Sequence, residues 1–204
     1  MQVPSLQLQI SLLSESLVIH GQYMFNVFLI PVISTDDFSV RFDGFATFIE
    51  GEDKYTYMVV DGIGYVVHCT GNSTTSVATQ DVSCLSSVEA FSSLVSALNS
   101  ITVGLVTTSN DEVVGCDDEG IIDASLGEGD IQICSGISGF MMYGESMLVR
   151  MECLDISLPE ISAPSLTNTL DKCGNFSSAI PVTPSTLRLL SCDSITTKAR
   201  DRGQ

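Results

Sequence analysis

Residues 54–68, KYTYMVVDGIGYVVH, contain two apolar, alternating runs joined by Asp61-Gly62. A two-residue link whose positions both tolerate positive φ is the strongest local signal for a tight β-hairpin. It also fixes register, because a one-residue slip would turn every side chain to the other face. Val60 then faces Ile63, Met58 faces Tyr65, and Tyr55 faces His68. The polar link Glu50–Asp53 turns the preceding run, residues 38–49, back in the same way, so that Phe48 faces Tyr55 and Ala46 faces Tyr57. The meander that results is apolar on both sides. Phe42, Ala46, Phe48, Tyr55, Tyr57, Val59 and Val66 share one face, with His68 at its rim. Phe45, Met58, Val60, Ile63, Tyr65 and Val67 share the other, diluted by Arg41, Asp43, Thr47 and Thr56. A sheet with one wet face alternates cleanly; this one needs a cover on each side.

The rest of the chain suggests where those covers come from. Residues 5–12 alternate as a half-buried strand. Residues 17–33 are mostly apolar, with Pro31 marking a break or an edge strand. Ser86-x-x-Glu89 is a capping box opening a helix over 86–100, whose Val88, Phe91, Val95 and Leu98 form one apolar stripe. Residues 101–108 read as a strand, and the acidic, glycine-containing stretch 109–130 as a loop with a short turn of helix at 121–126. Residues 131–137 and 139–158 read as strands, with Met141, Met142, Met147 and Met151 as core filling. Four of the six prolines lie in residues 159–204, which read as an extended wrap tied down by Cys173, followed by a short helix at 185–192 with Pro184 at its first position. The expected fold class is α+β, mainly β: a curved, half-barrel-like antiparallel meander covered by one main helix near 86–100, with a Pro-containing C-terminal wrap. The expected division is a single sheet domain over 1–158 and a wrap with a short helix and a basic end over 159–204.

Charge excludes some partners. The formal net charge is −17, from 25 acidic and 8 basic residues. A surface this acidic repels phosphate backbones and anionic headgroups, so neither nucleic acid nor a polybasic membrane dock is expected. No stretch reaches the length of apolar sequence that a membrane-spanning helix requires, and no signal peptide is visible. The seven cysteines form no C-x-x-C and no zinc-finger spacing with His20 or His68. They suit disulfides among Cys69, Cys84, Cys116, Cys134, Cys153 and Cys173, with Cys192 as the odd residue. Glycan acceptors at Asn72 and Asn175 each lie within three residues of a cysteine, which with the scarcity of lysine favours an extracellular, secreted glycoprotein.

Catalytic signals are weak. The common nucleophile, zinc-protease, phosphate-loop and dinucleotide motifs are absent. Gly62-x-Gly64 sits inside a hairpin and opens no helix. His68 and Cys69 are neighbours on a strand and point to opposite faces, so His68 is expected to be structural. The acidic residues of 111–130 lack the order of a calcium loop and read as solvated. No catalytic residue, metal or cofactor is expected, and the protein is not expected to be an enzyme. The expected function is a lipid or other small apolar ligand carrier, with Phe48, Tyr57, Met58, Val59 and Tyr65 lining an apolar cavity of the sheet. The alternative is an extracellular recognition or structural module with no small ligand, open to a protein partner through an apolar sheet face.

Overall fold

The computed structural model describes residues 4–34, 39–71, 79–85, 121–126, 129–136, 139–156, 158–170, 172–175 and 179–181. Within it, the alternation near the start of the chain becomes the central strand of one sheet. β1 (Leu6–Leu12) buries Leu6, Leu8, Ile10 and Leu12 on one side and turns Gln7, Gln9 and Ser11 to the other. On one flank follow β2 (Met24–Ser34), β3 (Ser39–Glu50), β4 (Asp53–Val60), β5 (Ile63–Thr70) and β6 (Thr79–Cys84). On the other flank lie β10 (Met147–Cys153), β9 (Gly139–Gly144), β8 (Gly129–Gly136) and β7 (Ile121–Leu126). All of these pairings are antiparallel. Two meanders, one from each half of the chain, are therefore joined side by side through β1 and β10. The sheet is not closed: β6 and β7 end the strand order.

This corrects the α+β expectation. Among the described residues the fold is antiparallel sheet, with a single 3-10 turn at Glu15–Leu17 and no helix of seven or more residues. The expected helix at 86–100 lies outside the described residues, as do the expected strand at 101–108 and the short helix at 185–192. Residues 121–126 form β7 and not a turn of helix. The physical reason is visible in IIDASL: Ile122, Ala124 and Leu126 alternate with Ile121, Asp123 and Ser125, a period of two that outweighs the acidity of the segment around it.

The hairpin registers are those that the turn lengths dictate. Val60 pairs with Ile63, Met58 with Tyr65 and Tyr55 with His68; Phe48 pairs with Tyr55 and Ala46 with Tyr57. Asp61 and Gly62 both adopt positive φ, 53° and 78°, which is what a two-residue turn of matching twist requires. Pro31 is tolerated inside β2 because Leu29 is the last β2 residue paired with β1. Beyond it that side of the strand is an edge, where a missing N–H leaves no gap in a ladder.

The first apolar face is the core. Phe42, Ala46, Phe48, Tyr57 and Val59 join the inward residues of β1, β2, β9 and β10 in one buried cluster. On the second face, Val60, Tyr65 and Val82 are buried at the β4–β6 end. The chain itself is fastened there. Cys84 lies opposite Tyr65 and forms a disulfide with Cys173. The Thr167 N–H donates to the Val82 carbonyl at 3.0 Å and the Val82 N–H donates to Thr167 Oγ1 at 2.7 Å. Asn175 forms a bridge with Ile63, and β11 (Ile180–Pro181) pairs with Val40 and Ser39 of β3. No helix among the described residues is long and apolar enough to cross a membrane. That fact and the disulfide are compatible with an extracellular protein.

The tip of the β4–β5 hairpin is locked by charge. Asp43 Oδ1 accepts from Arg41 Nε at 3.2 Å and from the Asp61 N–H at 3.1 Å, while Arg41 Nη2 donates to Asp61 Oδ1 at 2.8 Å. Burial pushes the Asp43 carboxyl above its ordinary value of 3.8, against the lowering effect of Arg41. Folded chains thus bind this proton more readily than unfolded ones, so the Asp43 contribution to stability falls as pH rises from 3.8 through the raised value. Asp43→Asn keeps the acceptor and removes the charge. Chemical denaturation across this range is expected to show the variant gaining on the wild type as pH rises; a pH-independent difference would refute the burial argument. Asp43→Ala, which removes the acceptor of the Asp61 N–H and of Arg41 Nε, is expected to lose about 2–3 kcal/mol at neutral pH. Cys173→Ser is expected to lose about 3–4 kcal/mol, since the bridge spans 89 residues of sequence.

Candidate functional site

The five residues expected to line a cavity do not share one. Phe48, Tyr57 and Val59 are buried members of the core, 1%, 8% and 1% exposed. Phe48 packs against Phe25 at 4.9 Å between ring centroids and meets Tyr57 edge-on at 5.3 Å. Met58 and Tyr65 are a cross-strand pair on the opposite side of the same hairpin. Alternation along β4 therefore sends the five side chains to two faces. The cysteines are similarly divided. Cys84 and Cys173 are bridged and Cys153 is also disulfide-bonded. Cys69 is corrected to a thiol, half-buried on β5. Cys134 lies on β8, while Cys116, Cys192, Asn72 and most of the acidic stretch 111–130 lie outside the described residues. Asn175 is exposed, two positions after the bridged Cys173.

The two histidines, which sequence spacing left apart, come together at one end of the core face. Ile19 and Gln22 exchange backbone hydrogen bonds around a His20-Gly21 turn in which both residues have positive φ, 48° and 72°. This turn lays the His20 ring on Tyr55, stacked at 3.9 Å, and Tyr55 stacks on His68 at 4.4 Å with the planes 1° apart. Carboxylates flank the stack: His20 Nδ1 lies 2.8 Å from Glu50 Oε2 and His68 Nε2 lies 3.1 Å from Asp53 Oδ1. His20 Nε2 reaches the Tyr57 hydroxyl at 2.7 Å. The neutral tautomer with its proton on Nδ1 satisfies both partners, donating to Glu50 and accepting from Tyr57. The sequence signal for this turn was the dipeptide His-Gly, since histidine enters the left-handed region more readily than most residues and glycine does so freely.

The chain Glu50–His20–Tyr57 has the order of an orienting acid, a base and a nucleophile. Its electrostatics run the wrong way for nucleophilic attack. Burial, with Tyr55 and Glu50 adding to it, pushes the Tyr57 phenol up from 10.0, whereas an activated nucleophile needs the opposite shift. Burial and then Asp53 and Glu50 raise Tyr55 as well. Both phenols stay protonated at neutral pH, and the cluster acts as a clasp holding the Ile19–Gln22 turn on the sheet. No group of three or more potential metal ligands occurs among the described residues.

A different surface is open. Gln7, Gln9, Arg150 and Glu152 line a shallow depression of about 210 Å³ on the outer face, where the two meanders meet. Gln9 pairs with Arg150, and Gln7 with Glu152. Arg150 Nη2 lies 2.6 Å from Glu152 Oε1. Around this polar centre the register places Met24 and Phe28 on β2 and Met141 and Tyr143 on β9. Met24 is 58% exposed and its sulfur accepts from Gln9 Nε2 at 3.7 Å; Phe28 stacks on Phe45 of β3 at 5.3 Å. In a chain of net charge −17, the outward positions of β9, β10, β1, β2 and the Phe45–Ile49 half of β3 carry one Arg and one Glu.

The clasp is testable apart from the face. His20→Asn retains left-handed tolerance but removes the ring, and is expected to lose about 1–2 kcal/mol by urea denaturation. His20→Ala is expected to lose about 1 kcal/mol more, because a Cβ without a local hydrogen-bonding side chain is disfavoured at this φ. Wild-type stability in the Asn variant would show that the stack contributes nothing.

No family model, curated protein or solved structure matches this chain.

Proposed function

We propose that the protein is a secreted, disulfide-stapled, non-enzymatic recognition module that docks a protein partner on the outer face of its central strands. The observation that carries this reading is the mixed surface of no net charge around Gln7, Gln9, Arg150 and Glu152 in an otherwise strongly acidic chain. Protein interfaces are enriched in Met, Phe, Tyr and Arg, and this face carries Met24, Phe28, Met141, Tyr143 and Arg150. The disulfide and the glycan acceptors support an extracellular setting. The apolar-carrier expectation loses support because Phe48, Tyr57 and Val59 are taken up by contacts within the core.

Two measurements test the reading. Fluorescently labelled protein is expected to bind saturably to cells or extracellular matrix from its own source, and Met24→Asp is expected to weaken that binding at least about tenfold, the loss typical of a buried anchor. Met24 is exposed, so the fold survives the change. Equal binding by the variant would remove the outer face from the function. Native mass spectrometry of protein secreted by a eukaryotic host is expected to return the masses of polypeptide and glycan alone. A stoichiometric lipid adduct would restore the carrier.

A further inference from the structure

We infer that the partner seated on this face is a second copy of the chain, packed face to face about a two-fold axis; this rests on the proposed docking function of the face. The first argument is charge complementarity. A two-fold interface brings the same patch of both subunits together, so residue i meets j and j meets i. The patch holds one guanidinium and one carboxylate, Arg150 and Glu152, two residues apart on β10 and on the same side of the strand. An axis through the depression sets each subunit's Arg150 against the other's Glu152. The patch has no net charge of its own to repel its copy.

The second argument is exclusion. Among the described residues, contact through the strand ends would oppose acidic surface with acidic surface. The described turns and loops at the ends of the strands carry Glu15, Glu52, Asp61, Glu145 and Asp155. The outer face is where two chains of charge −17 approach without direct opposition of like charges.

The third is size. Five strands spaced about 4.8 Å apart, with six or seven residues rising about 3.3 Å each, present roughly 24 by 20 Å, or about 500 Å². Two such faces bury about 1,000 Å², the area at which a specific interface becomes sustainable. Face-to-face packing of sheets is a stable arrangement when the inner side chains interdigitate. Met24, Phe28, Met141 and Tyr143 supply side chains long enough to do so around the polar centre.

Sedimentation velocity of the full chain at physiological ionic strength tests this. The wild type is expected to show a concentration-dependent dimer. Arg150→Glu places four carboxylates at the axis and is expected to weaken the dimer at least about tenfold; Glu152→Arg does the same with four guanidinium groups. The double variant Arg150→Glu/Glu152→Arg restores alternation of sign and is expected to regain most of the dimer. Arg150 is about half exposed, so circular dichroism is expected to be unchanged in each variant. A wild type that stays monomeric up to about 100 µM, an affinity too weak to matter for a secreted protein, overturns the inference while leaving the surface-binding assay with Met24→Asp to judge the docking face itself. A dimer indifferent to both single reversals, or a double variant no better than the singles, also overturns it.

Discussion

β1 is the strand on which the rest of the sheet depends. It is short, near the start of the chain, and paired on both sides: with β2, its neighbour in sequence, and with β10, which lies more than a hundred residues further on. Without it the chain holds two separate meanders, each with exposed edges and an apolar face. With it they share one buried cluster that runs from Phe140 and Met142 across Leu6, Leu8 and Ile10 to Phe48 and Val59. Each inward β1 side chain removed from water is worth about 1.5–3 kcal/mol, and all four are at most 5% exposed. Pairing of strands so far apart in sequence carries a large loop-closure cost, so their burial must offset it. Ser5 extends the junction: its carbonyl accepts from the Leu154 N–H and its hydroxyl from the Leu158 N–H, fixing the exit of β10 beside the entry of β1.

The two faces of the sheet solve different problems. The core face is saturated with aliphatic and aromatic contacts, and its polar groups sit at the rim, where His20, His68, Glu50 and Asp53 pair with one another. On the outer face, the C-terminal segment is pinned at the hairpin end by Cys84–Cys173 and by the Thr167 contacts with Val82. Towards β1 the same face passes into half-exposed Phe28, Phe45 and Met58, and then into the Gln and Arg/Glu centre. The question posed by two apolar faces on one hairpin thus has a divided answer. The chain fastens itself over one end, and the middle carries a mixed, partly exposed surface with no net charge.

Local features of the sequence were legible where one residue pair decides the geometry. Asp61-Gly62 specified its turn and, through it, the register of β4 against β5, as the link Glu50–Asp53 did for β3 against β4. The alternation of Leu6, Leu8, Ile10 and Leu12 identified β1, yet nothing in it says that its second partner is β10; long-range pairing leaves no mark within either strand. IIDASL was obscured because acidity and glycine nearby resemble a loop. The clasp was invisible for a related reason. His20 lies 35 residues before Tyr55 in sequence, and only the turn at Gly21 folds it across two intervening strands onto the stack. The residues expected to line a cavity were drawn from both faces that the alternation had already separated, with Tyr57 on one side and Met58 on the other, so hydrophobicity alone could not place them around one void.

The placement of charge also protects the sheet from the wrong kind of association. An open sheet exposes unpaired N–H and C=O groups at its edges, and such edges recruit strands from other chains. At β6 this is countered in two ways: Thr167 occupies both the N–H and the carbonyl of Val82, and Asp81 presents a carboxylate one residue before it. Edge-to-edge addition would also bring together two chains of the same large negative charge. Contact through a face does not require pairing of backbone groups and, at the β1–β10 junction, does not oppose like charges. Acidity at the described strand ends and net neutrality at the β1–β10 junction thus work together: the charge that discourages indiscriminate strand addition is balanced where the two meanders meet.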